Sequence, residues 1–185
     1  DINLIAGDTL HTRASGIQSN TGAINAVADT IHIEAGDSYH SDGFSVTRNV
    51  TGGLSSGTRH NIDIYSQNDQ VASTLSAEQI NLQSRGDTTI QASNVVATHD
   101  VNLISEQGNI NIIAGTANNH EYHYEHTTES GVLSSNVSSF TVGKQQTTTT
   151  QTIDEQRAVG STVGSLEGNV NILAQRGTYN QVGSD

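Results

Sequence analysis

The 185-residue chain contains no cysteine, methionine, tryptophan or proline. Without cysteine there is no disulfide framework, no thiolate metal ligand and no sulfur nucleophile. That lack suits a chain which crosses a periplasm unfolded without being trapped by oxidation. Aromatic residues are only 4% of the chain, five Tyr and two Phe, and hydrophobic residues 32%. A compact sandwich or α/β domain normally buries more, so composition favours a narrow core to which each turn of chain contributes a few small aliphatics. Basic residues are scarce: 7 Lys plus Arg against 19 Asp plus Glu, a formal charge of −12. The phosphate-neutralising footprint is missing, so the sequence predicts no nucleic-acid partner and disfavours bare anionic lipid. The acidity is read as a solubility device. No run approaches the roughly 18 apolar residues that span a bilayer, so no direct membrane span is expected, and no signal peptide is present. A first segment, Asp1-Ile2-Asn3, that begins in mid-strand without Met suggests a fragment of something longer.

What the chain does contain is a repeated phrase of aliphatic, Asn, aliphatic. It occurs as Ile2-Asn3-Leu4, Ile80-Asn81-Leu82, Val101-Asn102-Leu103, Ile110-Asn111-Ile112 and Val170-Asn171-Ile172. Ile31-His32-Ile33 and Ile62-Asp63-Ile64 keep the pattern with another polar centre. Period-two alternation sets both aliphatics on one face of a strand and the polar residue on the other. Recurrence of one such unit is the mark of a solenoid. Ile80, Ile90, Val101 and Ile110 follow at spacings of 10, 11 and 9, which predicts two strands per coil and a coil of about 20 residues.

A larger repeat lies above this one. Ser73-Thr74-Leu75, Glu78, Ile80-Asn81-Leu82 and Arg85-Gly86 are matched by Ser161-Thr162-Val163, Glu167, Val170-Asn171-Ile172 and Arg176-Gly177, close to 90 residues on. Two stretches break the rhythm, about 36–71 and 115–159. Each follows an Ala-Gly, carries Tyr and His early, and continues through a Ser/Gly segment to an aliphatic–Thr strand. They read as matching excursions, β-hairpins or extended arms. Helix signals are nearly absent; Ile153–Ala158 has the composition for one turn.

The second half resembles a known family. The run His123-Tyr124-Glu125-His126-Thr127-Thr128-Glu129-Ser130-Gly131-Val132-Leu133 is followed by Phe140-Thr141-Val142-Gly143-Lys144-Gln145-Gln146 and a Thr-rich tract. Then come Ala158-Val159-Gly160-Ser161-Thr162-Val163-Gly164-Ser165 and Gly168-Asn169-Val170-Asn171-Ile172-Leu173-Ala174. This ordered series resembles the haemagglutinin repeat of filamentous haemagglutinins and CdiA-type contact-dependent growth inhibition proteins, the large two-partner-secretion exoproteins. The resemblance implies a right-handed parallel β-helix, secreted to the cell surface of a Gram-negative bacterium by an outer-membrane two-partner transporter. It also implies adhesion or toxin delivery to neighbouring cells. Neither the secretion-recognition region nor the toxin region of that family has a counterpart in these residues.

Three groups of residues stand out as candidate sites. Outward-facing Asn3, Asn81, Asn102, Asn111 and Asn171 either stack as amide ladders or stand as ordinary solvated alternation, and the second is the simpler reading. The one dense group of ligand-type side chains is His120-Glu121-Tyr122-His123-Tyr124-Glu125-His126. In a strand His120, Tyr122, Tyr124 and His126 share a face, with same-face neighbours nearly 7 Å apart. That spacing is too wide for a zinc site unless the strand bends. The face suits packing, or an interaction surface on which the tyrosines stack against a target-cell glycan or receptor. For catalysis the best set is His99, Asp100 and Glu106, at opposite ends of the Val101–Ser105 strand and too far apart to cooperate. The neutral tract Gln145–Thr152 is read as an ordered strand rather than a mobile loop.

The expectation is therefore an all-β chain, residues 1–185 forming a single right-handed parallel β-helix segment with arm excursions, without catalytic, cofactor or metal residues. Its role is non-enzymatic, a structural and interaction segment of a surface exoprotein. The alternatives are a glycan-binding adhesin module and, behind it, a polysaccharide-cleaving β-helix enzyme.

Overall fold

The computed structural model describes residues 1–136 and 138–184, the side chains of 134–136 excepted. Among them there is no helix. The chain runs β1 (Ile2–Ile5), β2 (Thr9–Arg13) and β3 (Gly16–Gln18) into three different sheets, A, B and C. It then returns to A with β4 (Ala23–Ala28) and to B with β5 (Thr30–Glu34). Two long strands, β6 (Gly36–Gly52) and β7 (Ser55–Val71), enter a fourth sheet, D, before β8 (Thr74–Ala77) rejoins C. A full cycle follows in β9 (Gln79–Ser84), β10 (Thr88–Gln91) and β11 (Asn94–Ala97). The next, β12 (Val101–Ser105) and β13 (Ile110–Ile113), is again interrupted by two sheet D strands, β14 (Gly115–Asn136) and β15 (Ser139–Val159). Strands β16 (Thr162–Ser165), β17 (Val170–Ala174) and β18 (Tyr179–Val182) complete C, A and B.

The chain thus visits A, B and C in cyclic order, and every pairing within those sheets is parallel and in register. Ile2, Ile24, Ile80, Val101 and Val170 stack at one position of sheet A; Leu4, Ala26, Leu82, Leu103 and Ile172 stack two residues on. In sheet B, Leu10, Ile31, Thr88, Ile110 and Tyr179 align, and in sheet C Ile17, Leu75, Val95 and Val163. Alternation makes this possible, since each strand turns one set of side chains to the core and the other outward. Ile24, Ile31, Ile33, Leu75, Ile80, Leu82, Ile90, Val95, Val101, Leu103, Ile110 and Ile112 are fully buried. The aliphatics of the first and last strands are only partly covered.

The coil differs from its expected form. Ile80 and Val101 are 21 residues apart, as foreseen, but three strands fill the circuit rather than two. The third sheet is built from strands of three or four residues that bury at most two side chains each, Leu75 and Ala77 in β8 and Val95 and Ala97 in β11, and so carry little periodic signal.

Corners are held by polar side chains and by glycine. Between A and B, Gly86, Gly108 and Gly177 stack so tightly that a Cβ on Gly108 would lie 2.3 Å from the Gly86 carbonyl carbon. Between B and C, Ala14 and Ala92 adopt left-handed φ values of 47° and 46°. This conformation costs an alanine about 1–2 kcal/mol, so the surroundings impose it. Buried Ser73, Ser93 and Ser161 occupy the adjoining corner position.

The chain divides into two compact units. The first comprises Asp1–Ser38, Asp69–Ala117 and Arg157–Asp185, with the parallel sheets; the second comprises Tyr39–Asn68 and Asn118–Gln156. The second is antiparallel sheet D, ordered β15-β14-β7-β6. Ile153–Ala158, which had the composition for a helical turn, lies within β15. The Thr-rich tract beside it is part of the same strand, where β-branched residues are at home.

Candidate functional site

Polar chemistry is organised in two kinds of array, one in each unit. In sheet A the outward residues form an amide ladder. Asn25 Nδ2 donates to Asn3 Oδ1 at 2.9 Å, Asn81 to Asn25 at 2.8 Å, Asn102 to Asn81 at 2.8 Å and Asn171 to Asn102 at 2.9 Å. In sheet B, Asn180 donates to Asn111 at 2.8 Å. Solvated alternation, the simpler reading of the sequence, is therefore corrected. In-register parallel strands hold identical side chains one strand spacing apart, about 4.8 Å, and an amide can donate upward while accepting from below. Asn25 escaped notice because Ile24-Asn25-Ala26 replaces the second large aliphatic with Ala. Asn102→Ala removes one donor and one acceptor from the middle of this row. The expected loss is about 0.5–1.5 kcal/mol of unfolding free energy, since water reaches the half-buried ladder; a urea midpoint unchanged from the parent chain would contradict it.

In sheet D the aromatic and imidazole side chains gather. On β14, His120, Tyr122, Tyr124 and His126 stand at alternate positions, facing Ser66, Ile64, Ile62 and His60 on β7. Tyr124 lies between two imidazoles, His60 edge-on at 6.1 Å and His126 stacked at 6.4 Å between ring centroids. Each histidine is held by a neighbouring strand: His60 Nδ1 contacts Thr47 Oγ1 at 2.7 Å, His126 Nδ1 contacts Thr148 Oγ1 at 2.8 Å, and His120 Nδ1 contacts Asp154 Oδ1 at 2.5 Å. Tyr122, Tyr124 and His126 are half-buried, and His120 is exposed. The sequence reading missed His60, which lies opposite His126 only because β7 and β14 pair antiparallel. An isolated His in Arg59-His60-Asn61 carries no signal of that.

The opposite face of β14 is ionic. His123 Nδ1 lies 2.5 Å from Asp63 Oδ1, and its Nε2 3.6 Å from Glu121 Oε2. The hydrogen bond to Asp63 raises the His123 pKa above its usual 6.5, reinforced by the charges of Asp63 and Glu121 and opposed by desolvation. Arg59 approaches Glu125 at 3.8 Å. An open groove of about 470 Å³ nearby is lined by Arg48 and Arg59 with Val46, Asn49, Val50, Thr51 and Asn61.

The residues considered for catalysis are not brought together. Asp100 Oδ1 accepts from the Asn169 amide at 2.8 Å, capping the next turn, and the His99 carbonyl accepts from the Ser165 hydroxyl. Glu106 accepts from Gln83 Nε2 at 2.9 Å beyond the far end of β12. Among the described residues, no group of three or more His, Asp or Glu is placed to hold a metal ion. No helix among them is long and apolar enough to cross a membrane.

No family model matches the chain, and no solved structure matches it. Among curated proteins it is 32% identical over 159 residues, 82% of its length, to a tRNA nuclease CdiA of Escherichia coli strain STEC_O31. It is 32% identical over 142 residues, 74% of its length, to a tRNA nuclease CdiA of Escherichia coli O6:K15:H31. A 16S rRNA endonuclease CdiA of Enterobacter cloacae subsp. cloacae is 30% identical over 132 residues, 69% of the chain. Its relatives are CdiA proteins. The chain spans only 4–5% of their length.

These names overturn two expectations, that the protein is not an enzyme and that it has no nucleic-acid partner. The CdiA relatives are nucleases named for tRNA and 16S rRNA. The nucleic-acid expectation rested on the scarcity of Lys and Arg, and the enzyme expectation on the lack of a catalytic set, in 185 residues. The relatives that overturn them are far longer than the stretch they share with this chain.

Proposed function

We propose that these residues are a segment of a CdiA-type two-partner-secretion exoprotein at the surface of a Gram-negative bacterium, within its haemagglutinin-repeat portion. The parent carries a nuclease acting on tRNA or rRNA in the cells it contacts. The segment folds as one right-handed parallel β-helix interrupted by two long strand pairs, and it supports contact and toxin delivery. The observation that carries this reading is the cyclic A-B-C order of in-register parallel strands, found in a chain similar to CdiA over most of its length. Stacked backbone bonds, an aliphatic core and the Asn row make such a segment stiff, which suits a structure that must hold a distant domain away from its own cell.

The face of Tyr122, Tyr124, His120 and His126 is the surface we assign to a target-cell receptor or glycan. What supports it is the half-exposed aromatic row held at fixed spacing along β14. The experiment is a co-culture of bacteria bearing the parent protein with susceptible neighbours, reading the integrity of neighbour tRNA and rRNA. In-frame deletion of these residues is expected to abolish RNA cleavage in the neighbours while the exoprotein still reaches the surface. Unchanged cleavage would overturn the assignment.

A further inference from the structure

The two edges of sheet D differ in chemistry. Edge strand β6 carries Asp37, Asp42 and Arg48 along its length. Charges on an exposed edge block pairing with other strands. The opposite edge, β15, is exposed along nearly all of its 21 residues, and residues 145–153 include no charge and no proline. Its sequence there, Gln-Gln-Thr-Thr-Thr-Thr-Gln-Thr-Ile, is rich in β-branched residues. Such a strand is a template for another strand.

The flanks of this neutral tract are charged with opposite sign. Lys144 stands at one end and Asp154-Glu155 at the other. Parallel pairing of two copies would set Lys144 on Lys144 and acid on acid. Antiparallel pairing that sets Thr148 opposite Thr149 instead places Ile153 of the other copy directly across from Lys144, and Glu155 diagonally across on the same face, within reach of the long lysine side chain. The same operation sets threonine opposite threonine at the centre, a favourable cross-strand pairing. By two-fold symmetry the charge contact forms twice.

We propose that β15 is a self-association edge, pairing antiparallel with β15 of a second copy of this chain around Thr148 and Thr149. The two copies then share one continuous antiparallel sheet, eight strands wide from β6 to β6. Charge complementarity selects the partner: the tract is nearly symmetrical, and its two ends satisfy each other.

Sedimentation velocity of the 185-residue chain across a concentration series tests this, with two charge variants. The parent chain is expected to dimerise. Lys144→Glu, which opposes acid to acid at both contacts, is expected to raise the dimer Kd by at least about tenfold. Glu155→Lys weakens association likewise, and an equimolar mixture of the two variants recovers it, because each mixed pair restores opposite charges. These substitutions are on exposed positions and leave the core untouched. A parent chain that stays monomeric up to about 1 mM overturns the proposal, leaving the edge to a strand of another protein. A Lys144→Glu variant that associates as well as the parent also overturns it, since association would then use another surface.

Discussion

Leu103→Ala is expected to lower the unfolding free energy by about 2–5 kcal/mol, the usual cost of truncating a fully buried leucine that leaves a cavity behind. Leu103 is fully buried, stacked between Leu82 and Ile172 in the sheet A register. A parallel stack offers poor means of closing such a hole. Backbone hydrogen bonds above and below fix the spacing of the strands, so neighbours cannot settle inward without breaking register. Ile172→Ala, two residues into a terminal strand and only partly buried, removes a similar side chain where solvent already reaches. It is expected to cost less than half as much. Urea titration of both variants checks this; equal losses would mean that the core does not thin toward the last strand.

Much of this core was legible in the sequence. The aliphatic–Asn–aliphatic phrases became β1, β9, β12, β13 and β17, with their aliphatics inward. Period two is a strong signal when two large aliphatics flank one polar residue. Sheet C was not legible, because Leu75 with Ala77 and Val95 with Ala97 bury too little to mark a strand. The Asn rows were visible as a repeat but misjudged in role. Whether equivalent amides bond depends on register across strands 21 to 69 residues apart, which local pattern does not encode. On sheet D, the shared face of His120, Tyr122, Tyr124 and His126 followed from alternation alone, whereas His60 joined Tyr124 only through pairing with a strand far off in sequence.

The functional inference failed for a different physical reason. Net charge reports on what a given surface attracts, and −12 over these residues says nothing about catalytic surfaces in relatives of which the chain spans only 4–5%. Composition is a local property, while an exoprotein's activity belongs to whichever part reaches the substrate.

Ser93→Ala is expected to cost about 1–3 kcal/mol, although it deletes a single oxygen. The Ser93 hydroxyl donates to the Gln91 carbonyl at 2.8 Å and accepts from the Ser73 amide at 3.2 Å. Gln91 keeps a second donor in the Ala35 amide at 3.0 Å. The Ser73 amide is buried with its residue, and an unsatisfied buried donor carries the full desolvation penalty. The same relay repeats upward, from the Ser93 amide to Ser161 Oγ at 3.2 Å and from the Ser161 amide to Ser184 Oγ at 2.9 Å. This corner is where the chain leaves for sheet D at Gly36 and Gly115 and returns at Ser73 and Ser161, so the serines hold together segments that the excursions separate by more than 30 residues. Ser15→Ala, at the exposed end of the row, removes a hydroxyl that donates to the Arg13 carbonyl at 2.8 Å and is expected to change stability by less than about 0.5 kcal/mol. Hydrogen exchange gives the decisive reading: in Ser93→Ala the Ser73 amide loses protection beyond the global loss. If instead all core amides accelerate equally, the hydroxyl acts through packing of the corner and not by satisfying that donor.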